Sequence, residues 1–120
     1  MSREIVVFIT CPHQKEGQRI GKILVSEKLA ACVNIIPGLV SIFNWEGKLN
    51  QEKEILLIVK TRSSCFQKLE KRVRQIHSYS VPEVIGLPIV KGSKAYINWL
   101  VAMTQGKKAV RKKSKEAKID

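Results

Sequence analysis

The stretch from 27 to 49, EKLAACVNIIPGLVSIFNWEGKL, constrains the fold more than any other part of the chain. Leu29, Ala30, Ala31 and Cys32 close a helical pattern with small or apolar residues, and Val33, Ile35 and Ile36 begin an extended one. The run breaks at Pro37-Gly38, resumes through Val40, Ile42, Phe43 and Trp45, and ends in the turn chemistry of Glu46-Gly47-Lys48. Alternation puts Leu39, Ser41, Phe43 and Trp45 on one face of a strand and Val40, Ile42 and Asn44 on the other. Thirteen or so extended residues would reach about 40 Å, well beyond a common strand. Proline lacks an N–H, so Pro37 belongs at a bulge, an edge or a bend. The pattern predicts one long bent strand that outruns its own sheet, and such a strand invites a partner chain.

The other elements fall in order around it. Residues 5–10 (IVVFIT) form an unbroken β-branched and aromatic run, ended by Cys11-Pro12. Residues 14–28 are helical in period, with Gly17, Ile20, Gly21 and Leu24 on one face. Glycine in a helix interior costs about 1 kcal/mol relative to alanine, so two of them imply close approach of that face to a sheet. After the turn at 46–48 come a strand over 52–61 (EKEILLIVKT), a capping-box spacing at Ser64-Cys65-Phe66-Gln67, and a helix with Phe66, Leu69, Val73 and Ile76 as its stripe. Residues 77–83 are irregular, 84–90 form a strand interrupted by Pro88, and Gly92-Ser93 opens a last helix carrying Tyr96, Leu100 and Met103. The order β-α-β-β-α-β plus a terminal helix predicts an α+β, ferredoxin-like split βαβ sandwich with two helices on one face of one sheet. With only one face covered, strands should alternate apolar and polar, yet Ile5-Val6-Val7-Phe8-Ile9 and Ile55-Leu56-Leu57-Ile58-Val59 do not. Both faces must be dry, and a second copy of the chain is the simplest cover.

Size and charge narrow the classes of function. At 120 residues the chain is expected to form a single domain over 1–105, followed by a basic, disordered tail over 106–120. Residues 107–120 hold seven basic and two acidic side chains, a net of +5 out of a total of +12. Such a block suits either a solvated terminus or an arm for nucleic acid or another polyanion. No apolar run reaches the roughly 18–20 residues of a membrane span, and no signal-peptide pattern precedes the first strand. Membrane partners are therefore not expected and a cytoplasmic location is. The three cysteines, Cys11, Cys32 and Cys65, read as reduced thiols there.

Chemistry-bearing residues are few. Glu54, Leu56, Ile58 and Lys60 share a strand face with an acid at one end and a base at the other, which suits either a polar site or the two wet ends of a buried strand. Within 77–83, His77, Tyr79 and Glu83 bring an imidazole, a phenol and a carboxylate together after a helix C-terminus, where a charged imidazole would also serve structure alone. Cys11-Pro12-His13 could hold a soft divalent or cuprous ion, or simply end a strand. Trp45 suits packing or a ligand platform equally. The sequence has no Gly-rich phosphate loop, HExxH or nucleophile elbow, so no enzyme activity is expected.

The opening VVFITCP, EKLAACVNIIPGLVSIFNWEGKL, EILLIVKTR and HSYSVPEVIGLPIVKGSKAYINWL together resemble the CutA family, small proteins associated with tolerance to divalent cations, copper especially. The resemblance runs in order over about 5–100. It implies a ferredoxin-like fold in a tight homotrimer, similar to PII-type signal proteins, with the long strand joining neighbours. It also implies binding of divalent metal ions, Cu(II) or another, with His77 and Glu83 at family ligand positions, while Cys11 and His13 add donors from the residues themselves. Copper-binding members carry a cysteine where this chain has Ile9, a histidine pair where it has Ile76 and His77, and a proline where it has Ser78. Metal binding is accordingly expected to be weak. Trp45, Glu54, Lys60, Tyr79, Pro82 and Glu83 are similar to the family's polar cleft between subunits.

Overall fold

The computed structural model describes residues 3–105. The basic segment expected to form a disordered tail lies outside the described residues. The elements follow as β1 (Glu4–Cys11), α1 (Gln14–Ser26), β2 (Cys32–Trp45), β3 (Lys48–Arg62), a 3-10 turn (Ser63–Cys65), α2 (Phe66–Ile76), β4 (Val84–Pro88) and α3 (Lys94–Thr104). One four-stranded sheet has the order β2-β3-β1-β4, and every neighbouring pair is antiparallel. This is the ferredoxin-like α+β sandwich that the order of elements implies.

The core lies between that sheet and helices α1 and α2. Val7 and Ile9 of β1 and Leu57 and Val59 of β3 are fully buried against Ile20 and Leu24 of α1 and Leu69 and Val73 of α2. Each such side chain contributes about 1.5–3 kcal/mol of burial. Both helical glycines have the role their positions imply. A Cβ on Gly17 would collide with the Ile55 side chain, and one on Gly21 would stand 3.2 Å from Val33 Cγ1. Helix α1 therefore lies directly on β3 and β2.

Helix ends are set locally. His13 caps α1, its Nδ1 accepting the Glu16 N–H at 3.2 Å. At the other end Leu29 N–H bonds the Leu24 carbonyl and Lys28 N–H the Val25 carbonyl, a Schellman closure with Lys28 in the left-handed region at φ 60°. The capping box expected at Ser64 does not open α2. A 3-10 turn precedes the helix, Cys65 occupies the N-cap, and the Phe66 N–H bonds the Ser63 carbonyl, so the turn's own backbone does the capping. Ser93 does cap α3, accepting the Tyr96 N–H.

Strands β2 and β3, of 14 and 15 residues, make a hairpin arm that continues past the end of β1, where Cys11 pairs with Ile55. Its tip is a two-residue turn, Glu46-Gly47, with φ of 51° and 80°, matching a type I′ turn between Trp45 and Lys48. Pro37 sits on the edge strand and at an irregularity. Ile36 pairs with Leu56 but Leu39 pairs with Glu54, so β2 carries one extra residue and Gly38 takes φ 83°.

The second face of the sheet is only partly covered. Helix α3 lies against β3 near Arg62, whose Nε donates to Thr104 Oγ1 at 2.8 Å, and Leu100 is fully buried there. Val6, Phe8, Leu56 and Ile58 are half-buried, while Ile36, Ile85 and Leu87 are exposed beside them. An apolar sheet face is thus left open in the single chain.

Candidate functional site

Where β1 ends at Cys11, the segment 77–83 crosses over it, and this crossing builds the site. Arg19 of α1 donates to the Ile76 carbonyl at 2.8 Å, fixing the point from which the segment departs α2. His77 then turns inward, its side chain completely buried. Its Nε2 lies 2.8 Å from the Thr10 carbonyl and its Nδ1 accepts the Tyr79 N–H at 3.0 Å, so both ring nitrogens are engaged. Glu16 of α1 approaches from the other side, with Oε2 3.4 Å from His77 Nδ1 and 2.9 Å from the Ser78 N–H that donates to it. Burial acts to raise the Glu16 carboxyl, but the Ser78 hydrogen bonds and the two nearby imidazoles, His77 and His13, outweigh it and hold it below its usual value. Cys11 is wholly buried beside them. Burial, then the charges of Glu16 and Glu54, push its thiol up to about 12, against a smaller opposing effect of Arg19. The ligand atoms of Cys11, Glu16 and His77 all lie within 4.8 Å of one another. A thiol, a carboxylate and an imidazole so placed form a mixed S, O, N donor set of the kind that suits zinc or copper.

A cleft of about 670 Å³ opens on the far side of the same segment. Its floor is Glu54, on β3 one residue past the end of β1, and its walls include Phe43 and Trp45 of the arm and Tyr79, Pro82 and Glu83 of the crossing segment. Tyr79 donates its phenol proton to Glu54 Oε2 at 2.6 Å. Burial and then this carboxylate push the phenol well above the usual tyrosine value, so the proton stays on Tyr79. The volume lies in the range of small-molecule sites.

The candidates drawn from sequence therefore divide. Cys11 and His77 come together, and Glu16, which sequence reading missed, joins them. The signal for it was present in a carboxylate three residues after His13, on the first turn of a helix that starts beside Cys11. His13 is exposed and occupied in capping α1, and Glu83 stands on the exposed wall of the cleft, so neither contributes a ligand atom to that group. Trp45, Glu54 and Tyr79 share the cleft. Lys60 lies about 20 Å along β3 from Glu54, where its Nζ donates to Asn34 Oδ1 of β2.

Comparison with known proteins places this architecture. The CutA1 divalent ion tolerance protein family matches residues 5–103. The divalent-cation tolerance protein CutA of Thermus thermophilus is 50% identical over 97 residues, which cover 81% of this chain and 94% of that protein. The chloroplastic CutA of Arabidopsis thaliana is 48% identical over 84% of this chain, but the chain spans only 56% of its length, and a similar share of the rice and mammalian relatives. Among solved structures, the Thermus thermophilus protein superposes with a TM-score of 0.83 at 48% identity, covering 84% of this chain and 98% of that one. The Oryza sativa CutA1 structure gives 0.82 at 48% identity, covering 84% and 93%. From Ile5 onward, through the crossing segment and into α3, the chain belongs to the CutA1 divalent ion tolerance family.

Proposed function

We propose that this protein works in divalent-cation tolerance as a binding protein without catalytic turnover, assembled as a homotrimer. The observation that carries the metal reading is the meeting of Cys11, Glu16 and His77 ligand atoms at the end of β1. The site is a costly one to load. Cys11 must give up a proton held to about pH 12, and His77 must release either the Thr10 carbonyl or the Tyr79 N–H. Those costs support weak binding, on the order of micromolar or poorer, with Cu(II) preferred over Zn(II) by the usual stability order. His13 and Glu83 are secondary donors in this reading, since one is engaged in a cap and the other stands at the cleft wall. The trimer reading is supported by the open apolar sheet face and by the outrunning arm. A cytoplasmic location is supported by three free cysteines. No helix among the described residues is long and apolar enough to cross a membrane.

Calorimetry with Cu(II) tests the metal reading. His77→Ala should weaken binding about tenfold or more, because it removes the group's nitrogen donor, and Cys11→Ser should weaken it less, because the thiol must first give up its proton. Nanomolar affinity that survives His77→Ala would put the site elsewhere. Loss with Cys11→Ser alone would move it to the Cys11-Pro12-His13 turn.

A further inference from the structure

The helix layer carries most of the charge of the folded body, and carries it on one side. Residues 14–28 and 66–76 hold eight basic and three acidic side chains, a net of +5 out of the +7 over residues 3–105. None of the three carboxylates is free to offset the remaining cations. Glu16 is buried, Glu27 is held by Arg72 at 2.9 and 3.0 Å, and Glu70 by Arg74 at 2.6 and 3.3 Å. Arg19 is engaged by the Ile76 carbonyl. The ammonium groups of Lys15, Lys22, Lys28, Lys68 and Lys71 are left, exposed and without an ion pair or hydrogen bond among the described residues. Lys15 and Lys22 stand opposite the buried side of α1, marked by Ile20 and Leu24, and Lys71 opposite that of α2, marked by Leu69 and Val73. Both helices lie on the side of the sheet away from the open apolar face, so an assembly through that face leaves these lysines on the outside.

The chemistry of this face selects its partner. Arginine forks read a carboxylate or a single phosphate in fixed geometry, and all three helical arginines are engaged within the chain. Lysine is a point charge on a flexible stem, suited to a row of equivalent anions. A lipid surface needs a second, apolar signal beside a basic patch, and Val25 is the one exposed large apolar side chain on either helix. Single-stranded nucleic acid needs aromatic platforms, and no aromatic side chain of either helix is exposed. A double helix needs only phosphate contacts, which supply essentially all of sequence-independent affinity. The dimensions agree. Helix α1, at 13 residues, is about 20 Å long, a length over which duplex DNA carries about a dozen phosphates. We propose that the outer face of α1 and α2 binds double-stranded nucleic acid through its phosphate backbone, without regard to sequence. The surface is separate from the Cys11 cluster and from the basic block at 107–120, and it does not rest on the metal reading.

Fluorescence anisotropy of a labelled DNA duplex of about 20 base pairs tests this with the full-length protein. The Kd should be on the order of 10 μM near physiological salt, and log K should fall against log salt with a slope of about −4 or steeper, as expected for about five neutralised phosphates. A duplex of unrelated sequence should bind equally. Lys15→Gln, Lys22→Gln, Lys68→Gln and Lys71→Gln, made together, should make that slope shallower by about 3–4 and weaken binding about tenfold or more at about 50 mM salt. A variant that binds like the unaltered protein overturns the proposal, and is the result expected where the block at 107–120 makes all the phosphate contacts. Preference for phosphatidylglycerol vesicles over the duplex at equal phosphate also overturns it. Should the variant lose its fold by circular dichroism, lysine acetylation of the unaltered protein decides. Bound duplex should protect Lys15, Lys22, Lys68 and Lys71 severalfold in mass spectra, and protection confined to the lysines at 107–118 overturns the proposal.

Discussion

Cys11 illustrates how little a cysteine's presence says about its reactivity. Its thiol is buried beside Glu16, and burial first, then the charges of Glu16 and Glu54, push it up to about 12, which leaves very little thiolate near neutral pH. A reactive cysteine needs the reverse, a positive neighbour and access to solvent. Iodoacetamide at pH 8 should therefore leave Cys11 unmodified in the native protein and label it readily in guanidinium, with mass spectrometry of the Cys11 peptide as the measurement. Rapid labelling in the native state would show that the end of β1 opens. The same burial is what a metal would have to overcome at this cluster, since a thiolate ligand requires removal of that proton.

At the scale of elements, Gly17 shows what glycine does inside α1. Adding a methyl there gains about 1 kcal/mol of helix propensity but drives a Cβ into Ile55, a side chain only 5% exposed between helix and sheet. Overpacking of this kind costs about 1–3 kcal/mol, so Gly17→Ala should be net destabilising by about 1 kcal/mol, read as a lower urea midpoint at fixed protein concentration. A higher midpoint would mean that α1 does not rest on β3. The glycine pair at 17 and 21 made this contact legible from sequence, as Pro37 did for the bulge and the long apolar run did for the arm. The start of α2 was misread because the spacing of Ser64 and Gln67 suits a cap, while the chain leaving β3 uses a 3-10 turn first. The site was legible only in part. Cys11 and His77 are 66 positions apart, and only the pairing of β1 with its neighbours and the turn after α2 bring them together. Glu16 could not be weighed without knowing which way α1 faces, and Lys60 seemed to belong with Glu54 because alternation reports a shared face but not a distance.

The described residues measure 50 × 31 × 26 Å, an elongated shape that arises because the arm projects from the body. Val40, Ile42, Trp45 and Leu49 are exposed along that arm, and Ile36, Ile85 and Leu87 on the open sheet face. Exposed apolar surface on this scale belongs to an interface. Sedimentation at micromolar concentration should give a mass about three times 13.6 kDa, with unfolding that depends on protein concentration. A stable folded monomer at that concentration would overturn the homotrimer reading.

The extra residue in β2 has a consequence for how this arm can change over time. Before the bulge, Ile36 looks to the same side as Leu56; after it, Leu39, Ser41, Phe43 and Trp45 look to the side of Glu54. The bulge thus exchanges odd for even along the outer half of the strand. Side-chain direction in a strand repeats every two residues, so a change of one residue in length turns every later side chain over. The aromatic wall of the cleft is therefore held in place by a count of residues as much as by their identities. Phe43 and Trp45 could be kept unaltered through a lineage and still be lost to the cleft by the deletion of Gly38. Length at this point of the chain is inherited information, although in a surface loop it would be nearly free to drift.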